Sequence, residues 1–149
     1  MSRPTIFDPD DYQSLTRRIH NLQPGSLRQW GKMDPAQMLA HVNVPLETGL
    51  GKISPPREGN FITRPLMRRF VLGSTRFRRN LPTLKAFVVR EKRDFDREKQ
   101  RLLNNLEAAF ALGLNGPWRP HHAFGALTPQ QWGELTWLHL DHHLSQFSV

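Results

Sequence analysis

The chain contains no cysteine. Disulfides, thiolate ligands and a cysteine nucleophile are excluded, so any metal site has to be built from histidine with carboxylate or water. No apolar run approaches the ~18–20 residues that span a bilayer. Met1 to Asp11 carries no apolar stretch behind a basic start, so a cytoplasmic protein without a signal peptide and without a membrane partner is expected. Strand patterning is nearly absent as well. Phe87-Val88-Val89 is the only strand-like run, and it is too short to argue for a sheet. Basic side chains are missing from one end: after Gly113 the only Lys or Arg is Arg119.

What is present suits one soluble globular domain over residues 1–149, with 38% hydrophobic and 23% charged residues. The 21 Lys and Arg outnumber 13 Asp and Glu, giving a formal charge of +8. A surface of that sign invites nucleic acid, acidic lipid or anionic small molecules. Much of the charge lies mid-chain, from Arg64, Arg68 and Arg69 through Arg76, Arg78 and Arg79 to Arg101.

Helix signals recur along the chain. Asp8-Pro9 and Asp34-Pro35 each pair an N-cap oxygen with proline at the first helical position. The first opens a helix with Tyr12, Leu15, Ile19 and Leu22 on one face, and the second a helix carrying Met38, Leu39, His41 and Val42. Pro45 is expected to kink or end the second. Gly49 to Asn60 reads as a loop, Arg64 to Leu72 as a short helix, and about Arg90 to Leu112 as a long one. Thr128-Pro-Gln-Gln131 is a capping box that opens the last helix. The fold class is all-α, a four-helix bundle with a long crossover between the second and third main helices.

The last helix contains His139, His142 and His143. His139 and His143 are four residues apart, so they point the same way one turn above each other and form half of a metal site. The pair alone is a weak signal, since histidines also cap helices and satisfy buried polar groups. A lone His41 amid apolar neighbours on another helix strengthens it, because buried neutral imidazoles facing each other need a partner that a metal supplies. His142 lies about 100° further round the helix. It is grouped with His122, Trp137 and Gln146 as the surroundings or mouth of the site, whereas His121 reads equally well as an exposed loop residue. Asp141 falls on the far side of the pair, so this is not the metalloprotease pattern with its glutamate base.

Three pieces of sequence, Trp30-Gly-Lys-Met-Asp-Pro-Ala-Gln-Met-Leu-Ala-His41, His122-Ala-Phe-Gly-Ala-Leu-Thr-Pro-Gln-Gln-Trp132 and His139-Leu-Asp-His-His143-Leu-Ser-Gln-Phe147, resemble the DinB-like superfamily. They are most similar to a branch of it that carries a domain of unknown function. The resemblance implies a four-helix bundle of up-down-down-up topology, commonly homodimeric. It also implies a divalent metal held by one histidine of the second helix and a His-x-x-x-His pair of the last, which correspond to His41, His139 and His143. Relatives with known chemistry are bacillithiol S-transferases and mycothiol-dependent maleylpyruvate isomerase, which implies a small-molecule substrate and a low-molecular-weight thiol. The basic middle segment departs from the family pattern.

Two functions of different class follow. One is a metal-dependent enzyme, S-transferase or hydrolase-like, in which zinc, nickel or iron activates water or a thiol while Arg64, Arg68 and Arg69 clamp an anionic co-substrate. The other is a binding module for nucleic acid or anionic ligands, with structural histidines. A third, weaker variant keeps the metal for stability alone.

Overall fold

The computed structural model describes residues 2–149. Among them are five α-helices and no strand: α1 (Pro9–Asn21), α2 (Pro35–Gly49), α3 (Thr63–Gly73), α4 (Phe95–Leu112) and α5 (Pro129–Ser145). No helix is long and apolar enough to cross a membrane. The four longer helices touch in a closed ring, α2 on α4, α4 on α1, α1 on α5 and α5 on α2. Their apolar faces meet in one core that includes Leu15, Ile19, Met38, Leu39, Leu102, Leu106, Leu140 and Leu144.

The proline-led starts behave as the sequence indicates. Asp8 accepts from the amides of Asp10 and Asp11, and capping boxes close on Asp34 with Gln37 and on Thr128 with Gln131. Two boundaries differ. The long helix α4 begins at Phe95 rather than near Arg90, because Asp94 takes an extended conformation and caps it by accepting from the Arg97 amide. Pro45 does not end α2, which continues to Gly49. Burial explains why: 13 of the 15 residues of α2 are buried, so packing from all sides outweighs the hydrogen bond Pro45 cannot make. That missing bond would have gone to the carbonyl of His41, four residues back.

The crossover between α2 and α4 holds an additional element, α3. None of the residues of α3 is buried, and it leans on α5. A 3-10 turn, Lys85–Phe87, follows it and contacts α2. A smaller apolar cluster forms under this crossover from Ala123, Phe124, Leu127, Trp132 and Leu135, with Val71, Leu72, Phe77 and Leu84 against it. The N-terminal segment packs on α5 at Gly133, where a Cβ would stand 2.3 Å from Thr5 Oγ1 and 2.6 Å from the Phe7 ring.

Candidate metal centre

Three histidines meet between α2 and α5. His41 Nε2 lies 3.0 Å from His139 Nε2 and 3.0 Å from His143 Nε2. One ligand atom of each lies within 4.8 Å of the others. His41 and His143 are buried and His139 is partly so. The helix geometry places them: His139 and His143 stack one turn apart on α5, and α2, packed along α5, presents His41 opposite the pair.

The protons on two of these rings are fixed from outside. His41 Nδ1 donates to the carbonyl of Phe87 at 2.7 Å, and His143 Nδ1 donates to Gln146 Oε1 at 2.6 Å. A neutral imidazole carries one N–H, so both rings turn an unprotonated Nε2 toward the centre. Two nitrogen lone pairs 3.0 Å apart repel unless a proton or a cation lies between them. Protonation is opposed: burial first, then the neighbouring histidines, holds His139 and His143 well below the usual imidazole range. Burial likewise lowers His41, against the raising effect of its bond to Phe87. Three neutral nitrogen donors converging on one point are the donor set of a divalent transition metal.

The supports of the ligands come from distant parts of the chain. Phe87 sits on the 3-10 turn, and Glu58 holds that turn by accepting from the amides of Lys85 and Ala86 at 3.1 and 2.7 Å. Gln146 is held from the other side. Gly31 has φ +87°, and a Cβ there would lie 2.6 Å from Gln146 Nε2. Gly31 therefore combines a left-handed backbone with a close approach that a side chain would spoil. Replacing Gln146 by alanine, which frees the His143 tautomer, is expected to weaken metal affinity about 10–100-fold. Gly31→Ala should weaken it in the same direction through displacement of Gln146, and chelator competition measures both.

The triad forms one wall of a cavity of about 260 Å³ under the crossover. Its other walls are α2 side chains Val42 and Leu46, crossover residues Phe77, Leu84 and Phe87, and Trp132 and Leu135 of α5. Met67, Phe70 and Leu81 also line it while remaining 40%, 51% and 38% exposed, which puts the mouth between α3 and the loop that follows.

The other residues singled out in the sequence have separate places. His142 is half-buried and lines the cavity, its ring 5.7 Å from that of Phe77. Burial lowers its pKa, while Asp141 pulls it up and Arg79 down. His121, not His122, reaches the cavity wall, and it is buried rather than exposed. Its Nδ1 accepts from the amides of Ala123 and Phe124, and burial pushes it down to about 3. His122 stacks behind it against Phe87, with both ring nitrogens unpaired and Glu58 Oε1 at 4.0 Å. Trp137 lies off the cavity, in a surface cleft with Arg3, Val71 and Glu134. Asp141 faces away from the triad and binds Arg18 of α1 at 2.7 Å. Arg64, Arg68 and Arg69 line a different, shallow groove with Phe61 and Gln131. Two of them are engaged there, Arg64 with the Ala123 carbonyl at 3.2 Å and Arg68 with Gln131 at 3.2 Å. Sequence reasoning missed the Phe87 carbonyl, Glu58 and Gly31. Only Gly31 had any local signal, a glycine just ahead of a capped helix.

The fold and the site define a helical protein with a buried three-histidine centre suited to a divalent metal. The chain belongs to the family described as "Protein of unknown function (DUF1569)", whose model matches residues 1–149. No curated protein and no solved structure matches it.

Proposed function

We propose that this protein is a divalent-metal-dependent enzyme of the DinB-like kind, with the ion held by His41, His139 and His143. The observation that carries this is the convergence of the Nε2 atoms of His139 and His143 on that of His41 at 3.0 Å, with the Nδ1 atoms of His41 and His143 engaged by the Phe87 carbonyl and Gln146. An ion bound there supplies Lewis-acid chemistry, bringing the pKa of a coordinated water or low-molecular-weight thiol toward neutrality. The chain's own residues do the rest. Phe87 and Gln146 keep the ligand tautomers, the apolar walls exclude water, and His142, neutral near pH 7, stands on the wall as a proton acceptor. The reaction class is S-transfer or hydrolysis of a small molecule. The resemblance extends the reading to a four-helix arrangement of DinB-like topology, a homodimer and a cytoplasmic setting. The nucleic-acid reading has less support, because Arg64 and Arg68 are already bonded within the chain and lie apart from the histidines.

Elemental analysis of tag-free protein tests the proposal. About one divalent ion per chain is expected, lost in the His139→Ala/His143→Ala double variant. Metal retained by the double variant, or none taken up by the natural sequence after reconstitution, overturns it. The metals to offer are zinc, nickel and iron, since three imidazoles suit each of them.

A further inference from the structure

The cavity at the triad has a composition that the basic character of the chain does not suggest. Of its 22 lining residues none is Lys, Arg, Asp or Glu, although the chain has 34 such residues. Aliphatic and aromatic side chains dominate, and the polar groups are the histidines with Thr83 and Thr136. Two arginine clusters border it: Arg64, Arg68 and Arg69 face a groove that shares only Phe124 with the cavity, and Arg76 and Arg79 face a cleft that shares Phe77 and His142 with it, so that no arginine lines the cavity itself. An anion entering this cavity would meet no charged side chain on its wall, and without an ion at the triad it would leave water unpaired, a cost of several kcal/mol. An uncharged apolar body would instead gain about 25 cal/mol for each Å² of apolar surface it buries. At about 260 Å³ the space exceeds the ~150 Å³ of a cavity that admits benzene, and it suits a molecule of two to three aromatic rings or a comparable alkyl group.

We propose that the substrate bound beside the histidine triad is an uncharged, largely apolar molecule of the size of two to three aromatic rings, which enters between α3 and the Leu81–Leu84 loop. This deepens the metalloenzyme reading and rests on it for the word substrate, but the cavity's preference is measurable without turnover. The arginines of the neighbouring groove take no part in holding it.

N-phenyl-1-naphthylamine and its 8-sulfonate make the test, because they differ by one anionic group and both fluoresce on leaving water. Titrations are run on the metal-free and the zinc-loaded protein. The neutral probe is expected to bind at least tenfold more tightly than the sulfonate to the metal-free protein, and still more tightly than the sulfonate, by a smaller factor, when zinc stands at the triad. Leu84→Trp, which places bulk on the cavity wall from the less tightly packed crossover, should weaken the neutral probe at least tenfold. Equal or tighter binding of the sulfonate, with competition between the two probes, overturns the proposal. So does neutral-probe binding that a folded Leu84→Trp variant leaves unchanged. The comparison of the two probes on the natural sequence stands even if that variant fails to fold. The two readings fail separately. A His139→Ala/His143→Ala variant that has lost no metal refutes the metal site, whereas a protein that holds metal yet prefers the sulfonate refutes only the apolar substrate.

Discussion

Acidification from pH 7.5 to pH 5 is expected to remove about 2 kcal/mol of stability from the metal-free protein through His121, and more in the same direction through His139 and His143. The cause is burial of neutral imidazoles. His139 and His143 are held well below 6.5, and His121 is pushed down to about 3. In the unfolded chain all three return to about 6.5. Between the folded and unfolded values the unfolded state binds more protons, so stability falls as pH falls. The contribution is intact above pH 6.5 and is lost progressively below it, until the folded rings themselves take up protons. His121, with a folded value of about 3, accounts for about 2 kcal/mol over this interval, and His139 and His143 add to the loss. Urea denaturation in the presence of chelator at pH 7.5, 6 and 5 measures it. A midpoint that does not move between pH 7.5 and 5 would show that these rings are not buried as neutral bases. Saturating metal raises stability at pH 7.5 by about 3–4 kcal/mol at 100–1,000 times its dissociation constant. That increment also fades in acid, because the ion needs the same unprotonated nitrogens.

Replacement of Arg101 by methionine is expected to destabilise the fold by about 2–4 kcal/mol. Arg101 of α4 grips Glu47 of α2 with two bonds of 2.7 and 2.5 Å and reaches Glu98 at 2.8 Å. The two glutamate side chains are only 9% and 7% exposed. Burial pushes Glu47 up, but the hydrogen bonds of Arg101 and Asn105 and the charges of Arg101 and Lys52 more than offset it and keep the carboxylate ionised. Removing Arg101 strands the buried Glu47 charge without its hydrogen-bonding cation and leaves the buried Glu98 charge with Arg93 3.9 Å away. The expected loss is below the ~3–5 kcal/mol of a fully enclosed pair because the Arg101 side chain is 34% exposed. The network continues through Asn105, which donates to Asn43 at 2.8 Å and to Glu47 at 2.9 Å, so it fastens α4 to the helix that carries His41. Arg101→Met should thus lower the unfolding midpoint and weaken metal binding together. Arg101→Met/Glu47→Gln should recover part of the stability, since the stranded Glu47 charge is gone. A single variant as stable as the parent would show that the network holds nothing in place.

How much of this was legible in the sequence divides by the range of the interactions. Local chemistry determined the helices. An N-cap oxygen followed by proline is read within four residues, and the starts at Pro9, Pro35 and Pro129 follow from it. The four-residue spacing of His139 and His143 fixed that they share a face, because a helix repeats every 3.6 residues. The absence of cysteine excluded thiolate donors and left histidine, carboxylate and water. Tertiary structure decided the rest. The fate of Pro45 depended on α2 being enclosed by its neighbours, which local propensity does not encode. The tautomer of His41 depends on a carbonyl 46 residues away, on a turn held in turn by Glu58, and a backbone carbonyl has no signature in the sequence. The same holds for the arginines. Their number announced a basic protein, yet the crossover turns Arg64, Arg68 and Arg69 into one groove and leaves the cavity beside the triad without a charged wall. Sequence counts charges, but only packing decides which surface faces a ligand, because burying an unpaired charge costs more than exposing it.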